Sequence, residues 1–550
     1  MTDIEIAESV KPIKIRNIAK KLGLTARDLT LYGDFKAKVT RKIKDTDNNK
    51  LVLVTAINPT SAGIGKTTVS IGIADALNSM GESVCLALRE PSLGPVFGVK
   101  GGATGGGHSQ VIPMADINLH FNGDFHAITS ANNLLSSMID NHIFQGNELN
   151  IDPEKILFHR CLDVNDRALR SVTVGQTRIE NPRQDQFTIT AASEIMAIMC
   201  LSKDINDLKK RLGNIIVALN TKGKPVYAKD LHIADAMAIL LKDAMHPNLV
   251  QTLEGTPALI HLGPFANIAH GCNSINATRL SRSLAKYTIT EAGFGADLGA
   301  EKFLDLKCRV AGIKPNCVVL VATIQALKLH GGMAKDQLKV ENIDALQLGM
   351  GNLIRHINII RNTFKLPLVV TLNKYTSDSP KEVETVLNKI AELGVDYAIN
   401  DAWSLGGTGA HNLANKVKIA CEKDNSGFTY SYDLNDTVEK KIEDIARKVY
   451  GASGVQFTDQ AKKSIETINK LKLNNYPVII AKTQYSLSDN AKLIGAPENF
   501  EITIRDIEIR NGAGFLVALA GDMMLMPGLS KTPAGVGMKI TNSGKISGLF

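Results

Sequence analysis

The stretch Asn58-Pro-Thr-Ser-Ala-Gly-Ile-Gly-Lys-Thr-Thr68 sets a lysine and two hydroxyls directly after a closely spaced glycine pair. Those residue types at that spacing hold a polyphosphate. In the pattern G-x-x-x-x-G-K-[ST], Gly65, Lys66 and Thr67 fill the closing positions, while Thr60 stands where the opening glycine belongs. The loop expected to bind nucleotide comprises Thr60, Ser61, Ala62, Gly63, Ile64, Gly65, Lys66, Thr67 and Thr68. Its backbone N–H groups would face an anion, Lys66 would reach the β and γ phosphates, and Thr67 would offer its hydroxyl to Mg²⁺.

Four further features of the chain could serve chemistry. Arg89 and Glu90 follow the apolar run Val84 to Leu88, at the strand end where parallel sheets bind ligands. An arginine there can clamp a phosphoryl or carboxylate oxygen through two N–H groups. They would lie beside the phosphate loop if their strands are neighbours. Six glycines fall within Gly98 to Gly107, together with Lys100 and Thr104, a density that lets backbone approach a ligand. His120, Asp124 and His126 then form a polar group. Without a further convergent ligand it reads as a site wall or a satisfied buried network, not a metal centre. The single tryptophan, Trp403, sits in a Gly-rich segment after a predicted strand, a position for a core anchor or for a stacking platform.

The elements that must position these groups are legible as short apolar runs. Leu51 to Ile57 predicts a buried strand feeding the loop, and Val69, Ile73, Ala76, Leu77 and Met80 predict the helix leaving it. Further runs near Val84, Ile215, Val318, Leu366, Val395 and Tyr476 alternate with helical patterns, which implies an α/β fold with a mainly parallel sheet flanked by helices. Boundaries are placed near 355 and 450, giving a P-loop NTPase-like domain over 1–355 and two smaller α/β domains over 356–450 and 451–550.

A chain of 550 residues exceeds one typical core. With 44% hydrophobic and 21% charged residues it has a globular composition, and no apolar run approaches the ~20 residues that span a bilayer. The N-terminus lacks a basic-then-apolar export signal, so a cytoplasmic enzyme is expected. The net charge of +8 is spread without a basic block, which points to small anionic substrates and away from nucleic acid or membrane. Seven scattered cysteines without a C-x-x-C pair read as buried thiols.

Long blocks of the chain resemble the formate tetrahydrofolate ligase (10-formyltetrahydrofolate synthetase) family: REPSLGPVFG from Arg89, the glycine run with His108, GPFANIAHGCNS from Gly263, TEAGFGADLGAEKF from Thr290, VATIQALKLHGG from Val321, and MPGL from Met526. In that family the loop resembles T-P-A-G-E-G-K-T, so Thr60 is the family's own variant. The resemblance implies ATP-dependent activation of formate to formyl phosphate and formyl transfer to N10 of tetrahydrofolate, yielding ADP and phosphate. It assigns Lys66, Arg89 and Phe294 to formyl phosphate, and Tyr375 and Trp403 to the folate pterin. Asp124, His126 and Glu90 are candidates to take the departing proton. Mg²⁺, a monovalent cation (K⁺ or NH₄⁺) and a homotetramer are implied in the same way. The chain departs from the family at Ser61, Ile64, His108, Gln325 and Tyr375-Thr376. The changes at His108, Gln325 and Tyr375-Thr376 leave one alternative, a different ATP-dependent carboxylate–amine ligase on the same scaffold, and the phosphate loop itself leaves another, a nucleotide-dependent switch.

Overall fold

Strand Lys50–Ala56 is apolar at almost every position and buried from Leu51 onward, as a strand covered on both faces must be. In the computed structural model, which describes residues 1–43, 49–98, 104–175, 182–521 and 523–549, this strand sits near the middle of the main sheet. Across that sheet the order is Leu29–Leu31, Ala37–Val39, Asn248–Thr252, Pro257–Ile260, Val84–Leu88, Tyr287–Glu291, Lys50–Ala56, Cys317–Ala322, Leu368–Asn373 and Asp396–Asn400. From Pro257–Ile260 to the last strand every pairing is parallel. The pairings at the other edge are antiparallel. Among the described residues no helix is long and apolar enough to cross a membrane.

The helix Lys66–Ser79 leaves the phosphate loop and packs against the sheet through Val69, Ile73 and Leu77. Gly72 lets it approach Ala402 and Ala410 closely, because a Cβ there would meet the Ala410 methyl at 3.4 Å and Ala402 closer still. The run near Ile215 forms strand Ile216–Asn220, but it pairs antiparallel in a small separate sheet. The run near Tyr476 forms Val478–Ala481 in another small sheet, beside Phe515–Leu519.

The segment 356–450 shares the main sheet. Its strands Leu368–Asn373 and Asp396–Asn400 extend the main sheet, and the boundary near 355 falls inside helix Ile343–Asn358. Leu368–Asn373 is buried at every position and needs cover on both faces, while Asp396–Asn400, half-buried, closes the edge of the same sheet. Residues beyond 450 contribute Val478, Ile480, Ile502 and Leu516 to the same core cluster as Leu53 and Val319.

One buried carboxyl lies on the phosphate-loop helix. Asp75 Oδ1 accepts from Thr252 Oγ1 at 2.6 Å and Thr256 Oγ1 at 2.5 Å. Burial pushes its carboxyl up to about 7; the two hydroxyls oppose that rise, Glu254 adds to it and Lys21 opposes it. In the unfolded chain an aspartate titrates near ~3.9, so the folded state holds this proton more tightly. The stability associated with it is full below about pH 4 and falls by up to about 1.4 kcal/mol per pH unit until about pH 7. Urea unfolding of Asp75→Asn at pH 5 and pH 7.5 is expected to show the variant gaining on the parent as pH rises. An equal pH slope for both proteins would contradict this account.

Candidate active site

The loop that follows Lys50–Ala56 is closed by a side chain. Thr60 Oγ1 accepts from the Ala62 N–H and donates to the Gly63 carbonyl, both at 3.2 Å, while Gly63 N–H bonds the Thr60 carbonyl at 3.1 Å. The hydroxyl thus ties the turn that an opening glycine would otherwise leave to backbone alone. Gly65 has φ +77°, the left-handed conformation that glycine adopts without a Cβ penalty, and it starts the helix at Lys66. The loop's far side is steadied by Asn373, whose Nδ2 donates to the Ile64 carbonyl at 3.2 Å.

Its base is anchored by Asn58, which is wholly buried. Asn58 Nδ2 donates to Asp297 Oδ1 at 3.1 Å and to the Gln484 carbonyl at 3.3 Å, and Oδ1 accepts from Asn352 Nδ2 at 2.9 Å. Asp297 pairs in turn with Lys482 Nζ at 2.6 Å and His356 Nε2 at 3.3 Å. Burial disfavours the Asp297 charge, but Lys482 and His356 outweigh it and hold the carboxyl far below the usual range.

A cavity of about 730 Å³ opens over this loop, with Lys66, Thr67, Arg89, Glu291, Phe294 and Tyr485 among its lining residues. The strand carrying Arg89 is not hydrogen-bonded to the loop strand. Strand Tyr287–Glu291 lies between them, about 4.8 Å from each. Its last residue, Glu291, is buried and accepts from Thr67 Oγ1 at 2.9 Å. Gly293 keeps this crossing open: a Cβ there would meet Ala266 Cβ at 2.7 Å and sit 3.5 Å from Arg89 Nη1. Arg89 Nε is buried and has no hydrogen-bond partner among the described residues. Phe294 has φ +56°, a costly conformation for a bulky residue that clusters at ligand sites.

Glu90 also lines the cavity but faces a buried charge cluster. Asp124 accepts from Lys38 Nζ at 2.7 Å and from Asn248 Nδ2 at 2.7 Å. Burial, then the charge of Asp124, push the Glu90 carboxyl well above the carboxylate range, with Lys38 opposing; this favours the protonated form. His120 and His126 are exposed, His126 on helix Asp124–Phe144.

Tyr375 and Trp403 stand elsewhere on the same rim, just past the ends of the neighbouring strands Leu368–Asn373 and Asp396–Asn400. They do not line the cavity that holds Lys66 and Arg89. Asn400 Nδ2 donates to Asn373 Oδ1 at 3.0 Å, linking the two strand ends to each other and to the loop. Trp403 is 47% exposed, which excludes the core-anchor role. The glycine run touches it: Trp403 O accepts the His108 N–H at 2.8 Å. Residues 99–103 of that run, including Lys100, lie outside the described residues. Two departures noted in the sequence gather here, His108 beside Trp403 and Gln325, whose Nε2 donates to Ser377 Oγ at 3.3 Å, close to Tyr375 in the chain.

Sequence reasoning missed Glu291, Asn58 and the Asp297–Lys482 pair as site residues. Glu291 had a signal, a carboxylate ending the apolar run before Ala292-Gly293. The buried pair had none, because its partners lie far apart in the chain.

Burial lowers the Lys66 ammonium to about 8; Glu291 opposes this and Arg89 reinforces it. A depressed lysine loses its charge as pH rises through that value, and with it the attraction for phosphate. Titration of nucleotide affinity is therefore expected to weaken by up to about tenfold per pH unit above about pH 8, with that dependence absent in Lys66→Met. A flat profile between pH 7 and 9.5 for the parent protein would refute the assignment of that charge. The family model described as formate–tetrahydrofolate ligase matches residues 1–550. The chain belongs to the formate–tetrahydrofolate ligase family and is an ATP-dependent enzyme whose small-molecule substrates are formate and tetrahydrofolate.

Proposed function

We propose that the phosphate-loop cavity makes formyl phosphate from ATP and formate and passes its formyl group to N10 of tetrahydrofolate. The observation that carries this reading is the convergence of Lys66, Arg89 and the Thr67–Glu291 pair on one cavity. Formate is a stable carboxylate, and an amine displaces its oxygen only after that oxygen has become a leaving group. A formate oxygen attacks the γ-phosphorus, the bond to the β-phosphate oxygen breaks, and ADP departs. Lys66 offsets charge on the β and γ oxygens, and Arg89, whose Nε has no hydrogen-bond partner among the described residues, holds the oxygens of the transferred group. Thr67 and Glu291 supply the hard oxygen donors that suit Mg²⁺, an ion that neutralises phosphate charge when bound with ATP.

N10 then attacks the formyl carbon, and the carbon–oxygen bond to phosphate breaks. The proton lost from N10 needs no strong side-chain base, because the phosphate released beside it accepts a proton near neutrality. Among the candidates Asp124, His126 and Glu90, only Glu90 lines the cavity, and its raised titration suits donation better than acceptance. Tyr375 and Trp403 take the pterin at the rim, while the arylamine end of the same molecule reaches inward. An activating K⁺ or NH₄⁺, a homotetramer and a cytoplasmic setting complete the proposal through the resemblance.

The departures gathered at the rim, His108, Gln325 and Tyr375-Thr376, support one second reading, an altered amine acceptor on the same activating site. Incubation with ATP, formate and tetrahydrofolate, omitting each in turn and identifying the folate product by mass, separates the two. ADP release dependent on formate and a 10-formyl product are expected. ATP hydrolysis at the full rate without formate would overturn the proposal. Lys66→Ala or Arg89→Ala is expected to lower turnover by about 10²–10³, as for loss of one electrostatic clamp. Glu291→Gln is expected to raise the Mg²⁺ concentration needed for half-maximal rate, and an unchanged requirement would remove Glu291 from that role.

A further inference from the structure

Trp403 lies on the short turn Ala402–Leu405, and its backbone is gripped from two sides. On one side Trp403 O accepts the His108 N–H at 2.8 Å, and Ala402 O accepts Ser109 Oγ at 3.0 Å. Gly107 has φ +59° and stands so close that a Cβ would collide with the Trp403 carbonyl. On the other side the Gly407 N–H donates to Glu254 Oε1 at 2.6 Å. Glu254 sits on the turn between strands Asn248–Thr252 and Pro257–Ile260.

The glycine turn that grips Trp403 is itself held by a carboxylate from the first helix. Gly107 N–H donates to Asp3 Oδ1 at 2.9 Å, and Gln110 Nε2 donates to the Asp3 carbonyl and the Gly107 carbonyl, both at 2.8 Å. Helix Asp3–Ser9 starts with a Thr2–Glu5 capping box, and Ile4 and Ala7 pack against Val96, Ile112 and Met114, so Asp3 is presented from a fixed base. The Leu253 N–H bonds the Gln110 carbonyl at 2.9 Å and joins the Asp3 arm to the Glu254 arm. Both grips are N–H···carboxylate bonds, the stronger class of hydrogen bond. Neither carboxylate lines the cavity of Lys66 and Arg89.

We infer that Asp3 and Glu254 are positioning residues that fix the Trp403 turn between two glycine segments and thereby set affinity for the folate substrate without touching it. This rests on the reading that Trp403 meets the pterin. The backbone of the turn is clamped while the indole stays half exposed, so a ring arriving from solvent meets a platform of fixed height. Loss of either carboxylate frees a glycine whose conformations then compete with the gripping one.

The test uses the full-length protein with Asp3→Ala and Glu254→Ala, and with Asp3→Asn and Glu254→Gln, which keep an acceptor oxygen. Each alanine variant is expected to raise KM for tetrahydrofolate by about tenfold, while KM for ATP and formate and kcat at saturating folate stay within about twofold. The amide variants are expected to recover most of the loss. Unchanged nucleotide kinetics certify that each variant is folded. Equal shifts in KM for ATP and folate, or no shift in either, would overturn the inference. Emission from the lone tryptophan separates this outcome from failure of the underlying reading. If tetrahydrofolate does not perturb Trp403 emission in the parent protein, the pterin assignment falls and the inference falls with it. If it does perturb emission, with the same affinity in parent and alanine variants, the positioning role alone is refuted.

Discussion

The charge on Asp297 is the constraint around which the nucleotide cavity is assembled. A carboxylate without solvent contact persists only when its neighbours compensate the lost hydration, and here Lys482, His356 and the amide of Asn58 do so. Each of the three comes from a different part of the chain. Asn58 opens the phosphate loop, His356 lies on helix Ile343–Asn358, and Lys482 follows the small-sheet strand Val478–Ala481. Satisfying one buried ion therefore brings the loop, the long helix and the last part of the chain into a single arrangement. The same junction carries Thr483 to Tyr485 to the cavity wall.

The second organising fact is the strand inserted between the loop and Arg89. Direct pairing of Lys50–Ala56 with Val84–Leu88 would have crowded the guanidinium against the phosphate loop. Inserting Tyr287–Glu291 widens the gap by one strand spacing and puts a carboxylate in it. Positive groups then stand at the two sides and Glu291 between them, which suits a polyanion accompanied by a small cation. Gly293 is the local condition for this, since it leaves the crossing uncrowded.

Much of this was legible in the sequence. Apolar runs named the central strands, and the spacing of Gly65, Lys66 and Thr67 named the loop, because both signals are local. Strand order was not legible: Val84–Leu88 follows the loop helix directly, yet a strand some two hundred residues later is the one that intervenes. Pairing order is decided by which faces need cover, information no short window carries. For the same reason the strands within 356–450 read alike whether they found a new sheet or extend an old one, and it is the pairing that makes them part of the main sheet. The role of Thr60 lay between these cases. The residue was visible at the anomalous position, but that its hydroxyl closes the turn needed the coordinates of Ala62 and Gly63.

Helix Ile343–Asn358 runs on through a π-helical turn at Ile359–Thr363 before strand Leu368–Asn373. Its residues Leu346, Leu353 and Ile357 are packed into the same core as the central strands. That rod lies in the chain between strand Cys317–Ala322, paired with Lys50–Ala56, and strand Leu368–Asn373, paired with Asp396–Asn400, so the strands that lead to Lys66 and to Trp403 belong to one continuous sheet. On the reading proposed above, a folate serving both Lys66 and Trp403 bridges three strand spacings, about 14 Å, across the ends of Cys317–Ala322 and Leu368–Asn373.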